Sequence, residues 1–161
     1  MNIARFSALL CTVFLVACGQ EAATEARVPA AQPANENVME VGDYEIHVNA
    51  ISTDQVPPQV AQSYGIVRSQ NRALLNVAVV QASSKKTIES TVTADAVNLT
   101  GQLKNISLRK IEEPGEDSTA IYYIGEVAVA NRETLLFDVG VVLPGTTDIV
   151  RMKFKRQFFS D

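Results

Sequence analysis

From Met39 onward the chain alternates between apolar and polar positions. Tyr44, Ile46, Val48 and Ala50 are separated by Glu45, His47 and Asn49, the period of a half-buried β-strand. The same period returns in Leu135, Phe137, Val139, Val141 and Leu143, and again in Val150, Met152, Phe154 and Phe158. β-Branched and aromatic residues also dominate 73–81, 87–97, 103–112 and 119–130. Together these segments predict about seven strands.

Turn-forming residues separate them at Thr100-Gly101-Gln102, at Glu112 to Asp117 around Pro114-Gly115, at Asn131-Arg132-Glu133 and at Leu143-Pro144-Gly145-Thr146. Strands joined so tightly run antiparallel. Without helices between them they point to an all-β, antiparallel two-sheet immunoglobulin-like sandwich, with a small barrel as the alternative. One segment breaks the period. In QVPPQVAQSYG, 55–65, two prolines suit a helix start, Val60, Ala61 and Tyr64 have helical spacing, and Gly65 suits its end. This predicts one short helix between the first two strands.

The segment before Met39 is built differently. Behind Arg5 stands the apolar run FSALLCTVFLVA, twelve residues from Phe6 to Ala17. A membrane-spanning helix needs roughly 20, so the run suits the core of a signal peptide instead. It ends in Leu15-Val16-Ala17-Cys18, which resembles the lipobox of a bacterial lipoprotein precursor. That resemblance implies a signal peptide over 1–17, cleavage before Cys18, and acylation of Cys18 with palmitate-type chains. One acyl chain holds a protein marginally, at about 0.8 kcal/mol per buried CH₂, whereas two or more anchor it stably. The alternative is an ordinary secretory signal whose cut site abuts a buried cysteine. Gly19 and Gln20 follow, with no Asp, so the resemblance implies the periplasmic face of the outer membrane as the destination.

Residues 18–38 carry almost nothing large and apolar, and Pro29 and Pro33 oppose a helix, so a disordered tether is expected. Residues 39–161 form one domain of ordinary size. With Cys11 lost in the signal and Cys18 acylated, no disulfide is available. The chain of 161 residues carries a net charge of −4, and removal of Arg5 with the signal moves it to −5. An acidic balance excludes a nucleic-acid role in the usual electrostatic mode.

Chemistry is sparse. His47 is the only histidine in the sequence. With no free thiol in the mature chain, a zinc site is not expected, and no serine stands in a nucleophile-elbow pattern. Glu112, Glu113, Glu116 and Asp117 offer oxygens for Ca²⁺, but their spacing fits no EF-hand and a solubilising hairpin tip accounts for them. Arg151, Lys153 and Lys155 on the last strand read as edge protection, or as a basic ladder for an acidic partner or lipid phosphates. Asn76, among apolar neighbours, is a buried-amide candidate that should be hydrogen-bonded. The segment PPQVAQSYGIVRSQNRALLNV, 57–77, resembles a family of small bacterial periplasmic proteins known as a domain of unknown function. The resemblance extends over 42–158 and implies no activity, cofactor or site residue. Within it, Arg68, Asn71 and Arg72 form a loop suited to a carboxylate or phosphate, or simply to structural ion pairing. The expectation is a lipid-anchored, non-enzymatic interaction or accessory module, without cofactor or metal. It is held to the membrane through Cys18 and meets an envelope protein partner. The alternative is a small-ligand or anion-binding carrier using the Arg68 to Arg72 loop.

Overall fold

The computed structural model describes residues 37–160. The expected signal peptide, Cys18 and the tether up to Glu36 lie outside the described residues. The strands are β1 (Val38–Val41), β2 (Tyr44–Ser52), β3 (Arg72–Gln81), β4 (Lys86–Thr87), β5 (Thr91–Asn98), β6 (Leu103–Ile106), β7 (Arg109–Pro114), β8 (Thr119–Ala128), β9 (Thr134–Val142) and β10 (Ile149–Gln157). Between β2 and β3 lie a 3₁₀ turn, Thr53–Gln55, and the helix α1, Pro58–Ser63. One sheet of six strands runs β1-β2-β3-β8-β7, with β4 on β3, and the other runs β10-β9-β5-β6. All pairs are antiparallel. The all-β, two-sheet, sandwich-like architecture is the expected one.

The core lies where the alternation directs it. Ile46, Val48 and Ala50 from β2, Leu75, Val77 and Val79 from β3, Phe137, Val139 and Val141 from β9, and Met152 and Phe154 from β10 join one buried cluster. Phe137 is fully buried. It stacks on Phe154 at 4.8 Å between ring centroids and meets Phe158 edge-on at 6.3 Å.

The structure corrects the strand count and three connections. An additional strand, β1, precedes the first expected one, so the helix lies between the second and third strands. The expected strand 87–97 breaks into β4 and β5, which belong to different sheets. At the break, Ile88 N–H donates to Val79 O and Ser90 N–H donates to the Tyr123 hydroxyl, both at 2.8 Å. The expected strand 103–112 likewise splits, with β6 in one sheet and β7 in the other. Here the chain crosses β8 at Gly125. A Cβ on Gly125 would meet Ile106 Cγ2 at 2.6 Å and Ser107 O at 2.9 Å, so only glycine admits the crossing.

The Asn131-Arg132-Glu133 turn is the third correction: it joins β8 to β9 across the two sheets and makes no hairpin. Glu133 holds this end of the sandwich together. Lys104 Nζ lies 2.8 Å from both of its carboxylate oxygens, Asn98 Nδ2 donates at 2.9 Å and the Ala130 N–H at 2.8 Å. Its backbone oxygen accepts the Phe158 N–H at 2.9 Å. Strands β5 and β6 and the segments just after β8 and β10 therefore converge on one residue.

Gly125→Ala should lower stability by about 1–3 kcal/mol, read from denaturant midpoints, because the crossing chain must shift. For Glu133, burial favours the neutral carboxyl, but the bonds from Lys104, Asn98 and the Ala130 amide outweigh it and hold the pKa below the ordinary 4.5. A folded value below the unfolded one means the stabilisation is complete above pH 4.5 and fades as pH falls through the folded value. Glu133→Gln should therefore cost about 2–3 kcal/mol at pH 7, since it strands the Lys104 charge. Its deficit against the wild type should narrow in acid.

Candidate functional site

Strand β3 has the sequence RALLNVAVVQ, and its burial runs through both faces over much of its length. Ala73, Leu75, Val77 and Val79 turn inward to the sandwich core. Leu74 points to the outer face of the six-stranded sheet, opposite Ile51 of β2, and Asn76 stands opposite Ile124 of β8. Next to them Tyr122 of β8 stands opposite Ile111 of β7. This part of the outer face is apolar, and α1 with its flanks covers much of it. Val56, Ala61, Ile66, Leu74 and Ile124 form a second buried cluster, with Ile51, Tyr64, Ile111 and Tyr122 packed around it.

The local sequence makes that cover. Pro57 and Pro58 open the helix and Gly65, at φ +61°, closes it. Ile66 N–H donates back to Ala61 O at 2.8 Å, which turns Ile66 under the helix. The segment returning to β3 is pinned by Thr53, which is fully buried. Its hydroxyl lies 2.9 Å from the carbonyl oxygens of Val67 and Ser69 and accepts the Ser69 N–H at 2.9 Å. On the far side, Arg109 of β7 donates to Tyr64 O and ties the helix end to the sheet edge.

Between α1 and the sheet remains an open cleft of about 350 Å³. Val56, Val60 and Tyr64 line its helix side, and Leu74, Ile111, Tyr122 and Ile124 line its floor and far wall. Two polar side chains reach it: Glu113 and Asn76. The expectation that Asn76 is fully hydrogen-bonded is corrected, because its Oδ1 is buried without a partner. Such an acceptor costs stability unless something donates to it. On the opposite face of β7, Lys110 bridges Glu112 at 2.8 Å and Glu89 at 2.7 Å, bonds that raise its pKa well above the ordinary value. The cleft has the size and apolar character of a small-ligand site, and Asn76, whose buried oxygen has no partner, is one of its lining residues.

The loop predicted from sequence lies nearby, but none of Arg68, Asn71 and Arg72 lines the cleft. Arg68 is exposed and donates to the Asp54 carbonyl at 2.5 Å. Arg72 faces Glu126 at 3.5 Å. Asn71 contributes its backbone, receiving the Val129 N–H at 3.0 Å. His47 lies on the outer face of β2 with Nε2 3.1 Å from Glu45. The acidic residues at 112–117 are exposed along β7 and its hairpin tip, and among the described residues no three His, Cys, Asp or Glu gather as a metal set. Of the basic ladder, Arg151 and Lys153 both face Asp138. Cys18 lies outside the described residues. Sequence reasoning missed the cleft, although the near-continuous apolar run of β3, broken only by Asn76, carried the signal for a strand covered on both faces.

A family model described as a domain of unknown function, DUF4426, matches residues 38–161. The chain is also similar to a DUF4426 family protein from Pseudomonas aeruginosa PAO1 of known crystal structure. Sequence identity is 31%, the match covers 77% of this chain and 94% of that one, and the TM-score is 0.65. No protein of curated function matches.

Asn76→Leu removes the unpaired acceptor at nearly constant volume and should raise stability by about 1 kcal/mol. A lower thermal midpoint for this variant would show that the amide is satisfied in solution.

Proposed function

The chain belongs to the DUF4426 family, whose activity is not established, and from that premise we propose a lipid-anchored, non-enzymatic binding module of the cell envelope. It works as an accessory protein at the periplasmic face of the outer membrane, held there by acylated Cys18, and engages a compact apolar group in the cleft beneath α1. The observation that carries the binding reading is the cleft itself. It is an apolar trough of about 350 Å³ with one wall from α1 and its flanks and Asn76 among the residues of its lining. The lipobox-like LVAC sequence supports the anchor, and the proline-bearing segment after it suits a tether. Tethering then raises the concentration of the domain for whatever lies within reach of the chain. The Arg68 to Arg72 loop has less support as an anion site, since Arg72 faces Glu126 and Arg68 is engaged by Asp54.

Two measurements test this. The wild type should fractionate with membranes while Cys18→Ser moves to the soluble fraction, and equal partition of the two forms would remove the anchor. The cleft should bind the apolar fluorophore 1-anilinonaphthalene-8-sulfonate at a single site. Ile111→Glu, on edge strand β7, should weaken that binding about tenfold by placing a charge in the wall. Unchanged binding by a folded Ile111→Glu protein would move the site elsewhere.

A further inference from the structure

A second pocket, of about 230 Å³ and polar in character, opens where the far half of β2 faces the end of β10. β1 pairs with β2 only from Tyr44 to His47, and Val48 N–H then donates to Asn37 O at 2.8 Å. Among the described residues no strand continues along that edge. Backbone groups of an antiparallel strand alternate in direction, so those of Ala50 and Ser52 point the same way as Val48, toward this pocket.

The side chains there carry unused hydrogen-bonding capacity. Ser52 is 6% exposed and its hydroxyl has no partner. Arg156 Nε is buried and also without a partner, while Nη2 of the same guanidinium donates to Asn49 Oδ1 at 3.2 Å. The lining comprises Ala50, Ile51, Ser52 and Gln55 on one side and Arg156 to Phe159 on the other, with no carboxylate among them. Arg151 and Lys153 of the same strand both have Asp138 within ion-pair distance, whereas among the described residues Arg156 meets no carboxylate and faces a neutral amide. Phe159, 58% exposed, supplies an aromatic rim.

A guanidinium presents its Nε edge as a planar fork that matches a carboxylate, and charge-assisted bonds of this kind are roughly twice as strong as neutral ones. The Ser52 hydroxyl adds a further donor. A single cation balances a single negative charge, which favours a carboxylate over a phosphate. We infer that this pocket binds the carboxylate of an apolar acid, whether a free small acid or the end of an extended peptide lying along the open edge of β2. The site is separate from the α1 cleft and does not depend on it.

The test is a ¹⁵N NMR titration of the full chain in detergent micelles, following the Arg156 Nε–H resonance and the Ala50 and Ser52 amides. N-acetylphenylalanine should shift them saturably, and N-acetylphenylalanine amide, which lacks the charge, should not. Arg156→Lys keeps the charge but loses the fork and should weaken binding about tenfold. Ser52→Ala, a substitution of small volume change, should weaken it by a smaller factor without disturbing the fold. A tripeptide with a free carboxyl end provides the second arm. Tighter binding with a larger Ala50 shift assigns the site to peptide ends, and equal affinity assigns it to free acids, both within the inference. Equal shifts by acid and amide, no shift with either acid, or full binding by Arg156→Lys would overturn it.

Discussion

The constraint on which the rest of this structure depends is that its six-stranded sheet carries an apolar patch on its outer face as well as the core on its inner one. A two-sheet sandwich covers only one face of each sheet. Leu74 and Ile124, on the outer side of β3 and β8, would otherwise lie in water. Fully burying such side chains is worth about 1.5–3 kcal/mol each, enough to recruit a segment for the purpose. That segment is the excursion between β2 and β3. Its prolines, its helical spacing and Gly65 make sense as a device for laying Val56, Ala61 and Ile66 on the sheet. A helix of six residues is about 9 Å long, too short to close the whole face. The cleft is what the cover leaves open.

The second constraint is imposed by strands that change sheets. Each crossing needs its backbone groups satisfied and its path cleared. Tyr123 and Val79 satisfy the first crossing, Gly125 clears the second, and Glu133 closes the third with donors from Asn98, Lys104 and Ala130. These residues fix how the two sheets are stapled at their ends. The Lys104–Glu133 pair, with side chains 15% and 11% exposed, contrasts with the solvent-facing pairs of β10. Exposed pairs contribute little, whereas removing one partner of an enclosed pair strands the other charge away from water, so among the described pairs Lys104–Glu133 is the most sensitive to substitution.

The two pockets arise from incomplete coverage of different kinds. At α1 a face is only partly covered, and the result is an apolar trough. At β2 an edge is only partly paired, and the result is a polar recess with Arg156 and Ser52 in it. Both have lining residues with polar atoms that the fold leaves without partners, Asn76 Oδ1 at one and Ser52 Oγ with Arg156 Nε at the other.

Alternation along the chain by itself determined the strands of the core, because a period of two leaves only one face for Ile46, Val48, Phe137, Val139 and Phe154 to bury. Local chemistry likewise determined the short helix, since Pro58 and Gly65 act within their own turn. The sequence also placed Arg68, Asn71 and Arg72 in one loop; the structure keeps Arg68 and Asn71 there and makes Arg72 the first residue of β3. What the sequence left undecided was which strands share a sheet. The breaks at Ile88 to Ser90 and at Ser107-Leu108 interrupt runs that read as continuous, and the turn at Asn131 to Glu133 reads the same whether it folds back or crosses over. Pairing partners lie tens of residues apart, and no local pattern records them. Only the tertiary structure brought Val56, Leu74 and Ile111 around one cleft, or set Arg156 beside Ser52, because both sites are made by what neighbouring elements fail to cover.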